Sequence, residues 1–243
     1  ETGVYRYTGF VGKDRYWEKV STGLSNVQIK SLASIDSITV LAGTNGGGLF
    51  KTTNKGASWS AINSVSLNNK VITSIVNAGA RLILATEDGG VFYSDDKGDT
   101  WQSFNDVNTN NIGGTSMLSY NATTDELLVL NNSGLFITST ASTSNTASYT
   151  AVASPASTVI KDIDNNGTTW IIATDNGVYT SATGTISFTA QNSGLAGTNV
   201  NVVVAFKLKS RFLAGVDHGT MYKSADNTIS WSAVNTGFNN LVT

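Results

Sequence analysis

An all-β fold, a β-propeller of four-stranded antiparallel blades with about six blade positions, is predicted by three observations. An aromatic residue recurs at Trp17, Trp59, Trp101, Tyr149, Phe188 and Trp231, at intervals of 42, 42, 48, 39 and 43 residues. A Gly-apolar-aromatic step precedes it in each full unit: Gly48-Leu49-Phe50, Gly90-Val91-Phe92, Gly134-Leu135-Phe136, Gly177-Val178-Tyr179 and Gly219-Thr220-Met221-Tyr222. The 243 residues hold 24 Gly and 1 Pro and are rich in Ser, Thr and Asn, as many short strands joined by tight turns require.

Each unit divides into four strands. Strand A is expected at 27–33, 71–76, 116–120, 159–163 and 200–206, and strand B at 38–43, 81–85, 126–130, 169–173 and 211–215. Strand C carries the Gly-apolar-aromatic step, and strand D starts at the recurring aromatic. Alternation is clearest in C and D, while A and B are more continuously apolar. That gradient predicts inner strands buried on both faces and outer strands that are half wet. A single repeat of this kind cannot bury its own sheet faces, whereas stacking around an axis does so. The units span about 27–62, 71–104, 114–152, 159–190 and 200–234, within one domain of residues 3–243. Residues 3–20 supply strands C and D of a further copy, and 240–243 read as the start of another strand A. These leave two readings, a six-position ring lacking one strand B or an excerpt of a longer array.

Between strands C and D the sequence Ser94-Asp95-Asp96-Lys97-Gly98-Asp99-Thr100-Trp101 follows the pattern S-x-D-x-G-x-T-W. Asn54, Gly56 and Trp59 repeat it with Asn for Asp, and Asp226 and Trp231 repeat it with Thr228 where Gly is expected. The acid or amide should cap N–H groups of its own turn, Gly should take a left-handed conformation, and Trp should anchor the hairpin on the sheet below. These residues resemble the Asp-box (BNR) repeats of sialidase-like propellers, over nearly the whole chain. In that family the box is structural and lies away from the active face. The segments 21–24 (Ser-Thr-Gly-Leu), 192–195 (Asn-Ser-Gly-Leu) and 235–238 (Asn-Thr-Gly-Phe) resemble repeat arrays of secreted bacterial surface proteins. That resemblance implies an extracellular or cell-surface location.

Composition excludes several functions. Net charge is −2 with no basic patch, against a nucleic-acid partner. No apolar run is long enough to insert in a membrane. Without Cys there are neither disulfides nor thiolate metal sites. His218 is the single His, so no His-based metal or nucleophile–base site is built, and neither a metal nor another cofactor is expected. The chain opens at Glu1-Thr2-Gly3, with no initiator Met, and is expected to be processed or cut from a longer protein.

The resemblance to sialidases implies three Arg around a substrate carboxylate, a task suited to the guanidinium fork. Only Arg6, Arg15, Arg81 and Arg211 are present, and Arg81 and Arg211 open equivalent strands B. Xyloglucan-degrading glycosidases also contain such propellers and need two carboxylates about 5–10 Å apart across a cleft. No catalytic constellation is assigned. The B–C hairpins project opposite the C–D turns and carry Asn45, Glu87, Asp88, Asp175, Asp217 and His218, either as turn chemistry or as ligand contacts. Lys30 and Lys161 share one register of strand A, in units that face each other in a six-position ring, either meeting an anion or pairing with local acids. The D–A loops 64–69, 105–114 and 192–198 are long and polar. The expectation is a non-catalytic extracellular binding or adhesion module for a glycan or protein ligand, with a glycoside hydrolase or a structural spacer as the alternatives.

Overall fold

The computed structural model describes the chain except residues 1, 12–13, 27, 89, 105–113, 140–142, 157, 196–198, 208–210, 225–229 and 235–243, with side chains also left aside at 10, 11, 14, 15, 116 and 218. Asp226, most of the 105–114 loop, and the segments 235–238 and 240–243 therefore lie outside the described residues.

One hairpin comes first, β1 (Tyr5–Val11) with β2 (Asp14–Lys19). The first four-stranded sheet follows: β3 (Ile29–Ser34), β4 (Val40–Thr44), β5 (Leu49–Thr52) and β6 (Ser60–Ala61). The second is β7 (Ile72–Ala78), β8 (Arg81–Thr86), β9 (Gly90–Ser94) and β10 (Gln102–Ser103). The third is β11 (Thr115–Asn121), β12 (Glu126–Asn131), β13 (Gly134–Thr138) and β14 (Thr150–Val152). The fourth is β15 (Ile160–Asn165), β16 (Thr169–Thr174), β17 (Gly177–Ala182) and β18 (Thr189–Ala190). The fifth is β19 (Val200–Phe206), β20 (Arg211–Val216), β21 (Met221–Ser224) and β22 (Trp231–Ala233). Every sheet is a meander in chain order. Among the described residues a single 3-10 turn, Asp217–Gly219, interrupts the strands.

The chain forms two compact units: Glu1–Leu118 with Val129–Ser133 and Ser142–Ser148, and Ser119–Leu128 with Gly134–Ala141 and Tyr149–Thr243. In the first, Leu41, Leu49, Leu67, Ile72, Leu82, Leu84 and Trp101 form one apolar cluster between the first and second sheets. Leu24, Ala42, Phe50 and Trp59 form another at the sheet's other face. In the second unit, Ile171, Ala173 and Val178 meet Val200, Val203, Phe212, Ala214 and Trp231. Each such aliphatic side chain contributes about 1.5–3 kcal/mol by leaving water.

The gradient of burial differs from the expectation. Strands B and C are the buried ones: β8 and β9 are buried at every described position. Strand A alternates or is mostly wet, as in β3 and β19. Strand A is the edge of its sheet, with a strand neighbour on one side only, and its other edge is met by isolated side chains, such as Ser31 at Ile72 O, and not by a ladder. Strand D, the opposite edge, is as exposed in β6, β10 and β18.

Candidate functional site

Strand A has a feature that aims side chains. The pairing of β3 with β4 steps from Ile29 to Ser31, of β7 with β8 from Ile72 to Ser74, of β15 with β16 from Ile160 to Asp162, and of β19 with β20 from Val200 to Val202. Each step leaves one residue out of register, a bulge at Lys30, Thr73, Lys161 and Asn201. A bulge re-aims the side chain it carries. The shared register of Lys30 and Lys161 thus has a backbone cause, and it recurs at Thr73 and Asn201.

In the second unit this device assembles a polar cluster at the B–C end of the sheets. Lys161 Nζ donates to Asn199 Oδ1 and, at 2.8 Å, to Asn201 Oδ1. Asn201 Nδ2 donates to Asp217 Oδ1 at 2.6 Å, and Asn199 Nδ2 donates to Asp217 Oδ2. Cation, two amides and carboxylate form one connected set, in which Lys161, Asn199 and Asp217 are half-buried and Asn201 is exposed. Asp175, on the neighbouring hairpin, is exposed and accepts from Val159 N–H at 2.8 Å. His218 falls in the 3-10 turn beside Asp217. Asn199 and Asn201 escaped the sequence reading, because nothing in a run of Asn distinguishes a bulge residue from a loop residue.

The remaining hairpin residues belong to the first unit. Asn45 Nδ2 donates to Gln28 Oε1 at 2.9 Å, and its carbonyl accepts from Asn26 Nδ2. Asp88 pairs with Lys70 at 2.8 Å on the surface. Glu87 is exposed, and so is Lys30. These side chains are tied locally or stand apart in solvent, and the structure does not bring them into one cluster.

Two carboxylates on β15 were not singled out as a pair by the sequence. Asp162 Oδ2 accepts from Val203 N–H at 2.9 Å and Asp164 Oδ2 from Ala205 N–H at 2.8 Å. Both donors lie on β19 and have no strand partner on that side, so the carboxylates satisfy the open edge of the next sheet. Burial pushes both carboxyls above the ordinary carboxylate range. It outweighs the lowering effect of hydrogen bonds from Val203 and Ile163 at Asp162, and of those from Ala205 and Asn165 at Asp164. The charge of Asp164 adds to the rise at Asp162.

The C–D turns are self-contained. Asp96 Oδ1 accepts from Asp99 and Thr100 N–H at 3.1 and 2.9 Å, and its Oδ2 accepts from the Thr100 hydroxyl at 2.6 Å. Desolvation works to raise the Asp96 carboxyl, but these bonds, together with Ser94, hold it below its usual value. Asn54 does the same for Ser58 N–H at 2.9 Å. Gly98 takes φ +85 and donates to Ser94 Oγ, and a Cβ there would press on Leu41 at 3.2 Å. Trp59, Trp101 and Trp231 are 4, 7 and 5% exposed.

Arg81 is occupied as well. Its guanidinium forks onto Asp95 at 2.7 and 2.8 Å, donates to Ser144 O and Asn145 Oδ1, and lies 4.2 Å from the Tyr93 ring centroid. It pins the 143–146 segment and is not presented to a substrate carboxylate. Among the described residues no group of three or more His, Asp or Glu side chains is placed to hold a metal, and no buried side-chain polar atom lacks a partner. Nor is any helix among them long and apolar enough to cross a membrane.

No family model matches the sequence, and no curated protein matches it. Solved structures do. An ancestral GH74 enzyme superposes with a TM-score of 0.71 at 19% identity over 92% of this chain. The GH74 xyloglucanase from Xanthomonas campestris gives 0.66 at 14% over 97%. YCF48 bound to D1 peptide gives 0.68 at 15% over 92% of this chain and 73% of its own. The chain spans only 35% and 42% of the two GH74 proteins. At these identities the likeness is one of fold, and with the repeated four-stranded meanders it identifies this chain as a β-propeller.

Proposed function

We propose that this chain is a non-catalytic binding module, extracellular or on a cell surface, that recognises a glycan or a protein through the B–C end of its sheets. The observation that carries the reading is the set Lys161, Asn199, Asn201 and Asp217. Amide donors and acceptors flanked by one cation and one carboxylate match the hydroxyls of a sugar or the main chain of a peptide. Lys161 and Asn201 stand on strands, and Asn199 and Asp217 directly adjoin β19 and β20, which holds them more firmly than a free loop would. YCF48 in its complex with D1 peptide is a fold relative that binds a peptide. The Asp-box resemblance, in which the Trp-bearing turn is architectural, agrees with the self-contained bonding of Asp96 and Asn54.

Parallel glycan and peptide arrays test the reading, followed by calorimetric titration of the best hit. Lys161→Ala and Asp217→Asn should each weaken binding at least about tenfold, the loss of one charge-assisted contact, with the melting temperature little changed. Binding unaffected by either change would remove this cluster from the function.

A glycoside hydrolase is the second reading, favoured by the GH74 likeness and by the Asp162–Asp164 pair. Two residues apart on one strand, their side chains share one face of the sheet, as a pair of acids acting on one substrate would need. Against this, each carboxylate is engaged by backbone N–H groups of β19 and of its own strand. Turnover of xyloglucan or a sialoside that disappears in Asp162→Asn would establish the hydrolase and displace the binding module.

A further inference from the structure

We infer that Asn176 is a site of self-modification: the backbone nitrogen of Gly177 attacks its side-chain amide, which becomes aspartate or isoaspartate without an enzyme. Asn-Gly steps occur at 45–46, 166–167 and 176–177. Glycine has no Cβ, so its nitrogen is open to the approaching side chain. All three glycines have positive φ, +85 at Gly46, +99 at Gly167 and +104 at Gly177. Backbone class therefore does not separate the steps. What separates them is how firmly each amide is held.

To react, the Asn side chain must turn until Cγ meets the next nitrogen, and every hydrogen bond the amide makes must first break. Asn166 is held most firmly. Its Oδ1 accepts from Thr168 N–H at 3.1 Å, from the Thr168 hydroxyl at 3.2 Å and from Thr169 N–H at 2.9 Å. Asn45 Nδ2 donates to Gln28 Oε1 at 2.9 Å. The attacking nitrogens are engaged there too, Gly46 N–H at Thr44 O and Gly167 N–H at Asn165 Oδ1, each at 3.2 Å. Asn176 Nδ2 reaches the Tyr179 hydroxyl at 3.5 Å, too long to restrain it. Asn176 is also exposed, in the short loop between β16 and β17, where water can complete the reaction. One intact hydrogen bond slows the turn by about fivefold, so Asn45 should lag about fivefold and Asn166 about a hundredfold.

The step balances from the chain and water alone. Gly177 N gives up its proton to solvent and bonds to Asn176 Cγ, while Nδ2 takes up a proton and leaves as ammonia. Water then adds to one carbonyl of the succinimide and breaks its bond to Gly177 N. Addition at the main-chain carbonyl gives isoaspartate: the chain now runs through Cβ and Cγ, and the former carbonyl is a free carboxylate. Either product adds a negative charge beside Asp175, in a chain of net charge −2.

The surroundings make isoaspartate disruptive. Asn176 O accepts from Asn192 Nδ2 at 3.4 Å, and Asn192 Oδ1 accepts from Val178 N–H at 2.8 Å. Gly177 lies so close that an added Cβ would stand 2.3 Å from Asn192 Oδ1. A main chain lengthened here by one atom must displace Asn192. That residue opens the turn closed by Leu195 N–H on Asn192 O, in which Ser193 O receives Trp231 N–H at 2.8 Å, as Thr22 O receives Trp59 N–H. Ageing of the hairpin thus reaches the Trp231 anchor.

Peptide mapping by mass spectrometry, on folded protein aged in warm, mildly alkaline buffer, tests this, with isoaspartate counted by an isoaspartate-specific methyltransferase. Position 176 should gain one mass unit first, followed by 45 and then 166 in the ratios above. In urea the three should convert at similar rates, because the flanking glycine is common to all. Asn176→Gln should slow the acidification seen by isoelectric focusing. The isoaspartate fraction should melt below fresh protein, whereas Asn176→Asp, with its chain length unaltered, should melt with it. Position 45 or 166 keeping pace with 176 in the folded protein, the same order persisting in urea, or acidification indifferent to Asn176→Gln overturns the inference. An isoaspartate fraction that melts with fresh protein overturns the coupling to Asn192.

Discussion

Gly23→Ala isolates the contact on which the repeat is hung. Gly23 has φ +90, and an added Cβ would lie 2.1 Å from Trp59 O and 3.1 Å from Trp59 C, well inside the 3.0 Å limit at the oxygen. The obstacle is main chain, so it has no rotamer to change. Relief requires the 21–24 turn to move off Trp59, losing the bonds to Thr22 O and Val20 O. The left-handed conformation costs about 1–2 kcal/mol for a residue with a Cβ. Each lost hydrogen bond adds about 1 kcal/mol. The total of roughly 3–4 kcal/mol lowers the melting temperature by about 6–16 °C for a chain of this size. Gly79→Ala is the matched control: φ is +83, but no atom lies within 4 Å of the new Cβ. It should cost only the conformational term, roughly 1–2 kcal/mol. Scanning calorimetry of the three proteins decides the matter. Equal melting temperatures for the two variants would refute the claim that close approach, rather than backbone freedom, makes Gly23 necessary.

Further outcomes follow from the carboxylates and the arginine. Asp162→Asn keeps an acceptor for Val203 N–H and removes a charge that burial disfavours. Because the folded-state carboxyl lies above its unfolded value of about 3.9, the unfavourable contribution is absent below that pH and complete above the folded value. Thermal melts should therefore show the variant more stable than wild type at pH 7 and equal to it near pH 3; the reverse order would contradict the assigned burial. Asp96→Ala should lose about 1–2 kcal/mol at pH 7 in urea titrations, as for a lost helix cap. The Asp96 carboxyl is held low, so its contribution is present above about pH 3.9 and disappears as pH falls through the folded value; a loss that stays constant into strong acid would contradict this. Arg81→Ala removes a buried guanidinium whose Asp95 partner is 53% exposed, which limits the cost to roughly 2–3 kcal/mol. It should also speed limited proteolysis around residues 143–146, and an unchanged cleavage rate would show that Arg81 does not hold that segment.

The repeat was legible because turn chemistry and aromatic anchors are local. Strands A and B predicted at 81–85, 169–173 and 200–206 are observed as Arg81–Thr86, Thr169–Thr174 and Val200–Phe206. Burial along strand A was misjudged because apolar content was read as two-sided packing, whereas Val202 and Val204 are exposed on an edge strand. The Lys161 cluster was half visible. Lys161 stood out by the register it shares with Lys30 and Asp217 by its place in a B–C hairpin, but the amides that join them depend on a register step that leaves no mark in residue type. The role of Asp162 and Asp164 was hidden for a related reason: their partners are main-chain N–H groups some forty residues away, and a backbone donor looks the same under every side chain.

The strand-A bulge separates what the protein is from what it can contact. At Lys30, Thr73, Lys161 and Asn201 the ladder closes on either side without the intervening residue. That residue owes nothing to strand pairing, and a cation, a hydroxyl and an amide already occupy equivalent places. These positions form a set of sockets on one scaffold, where new chemistry can be installed one residue at a time while the architecture beneath stays indifferent to the choice.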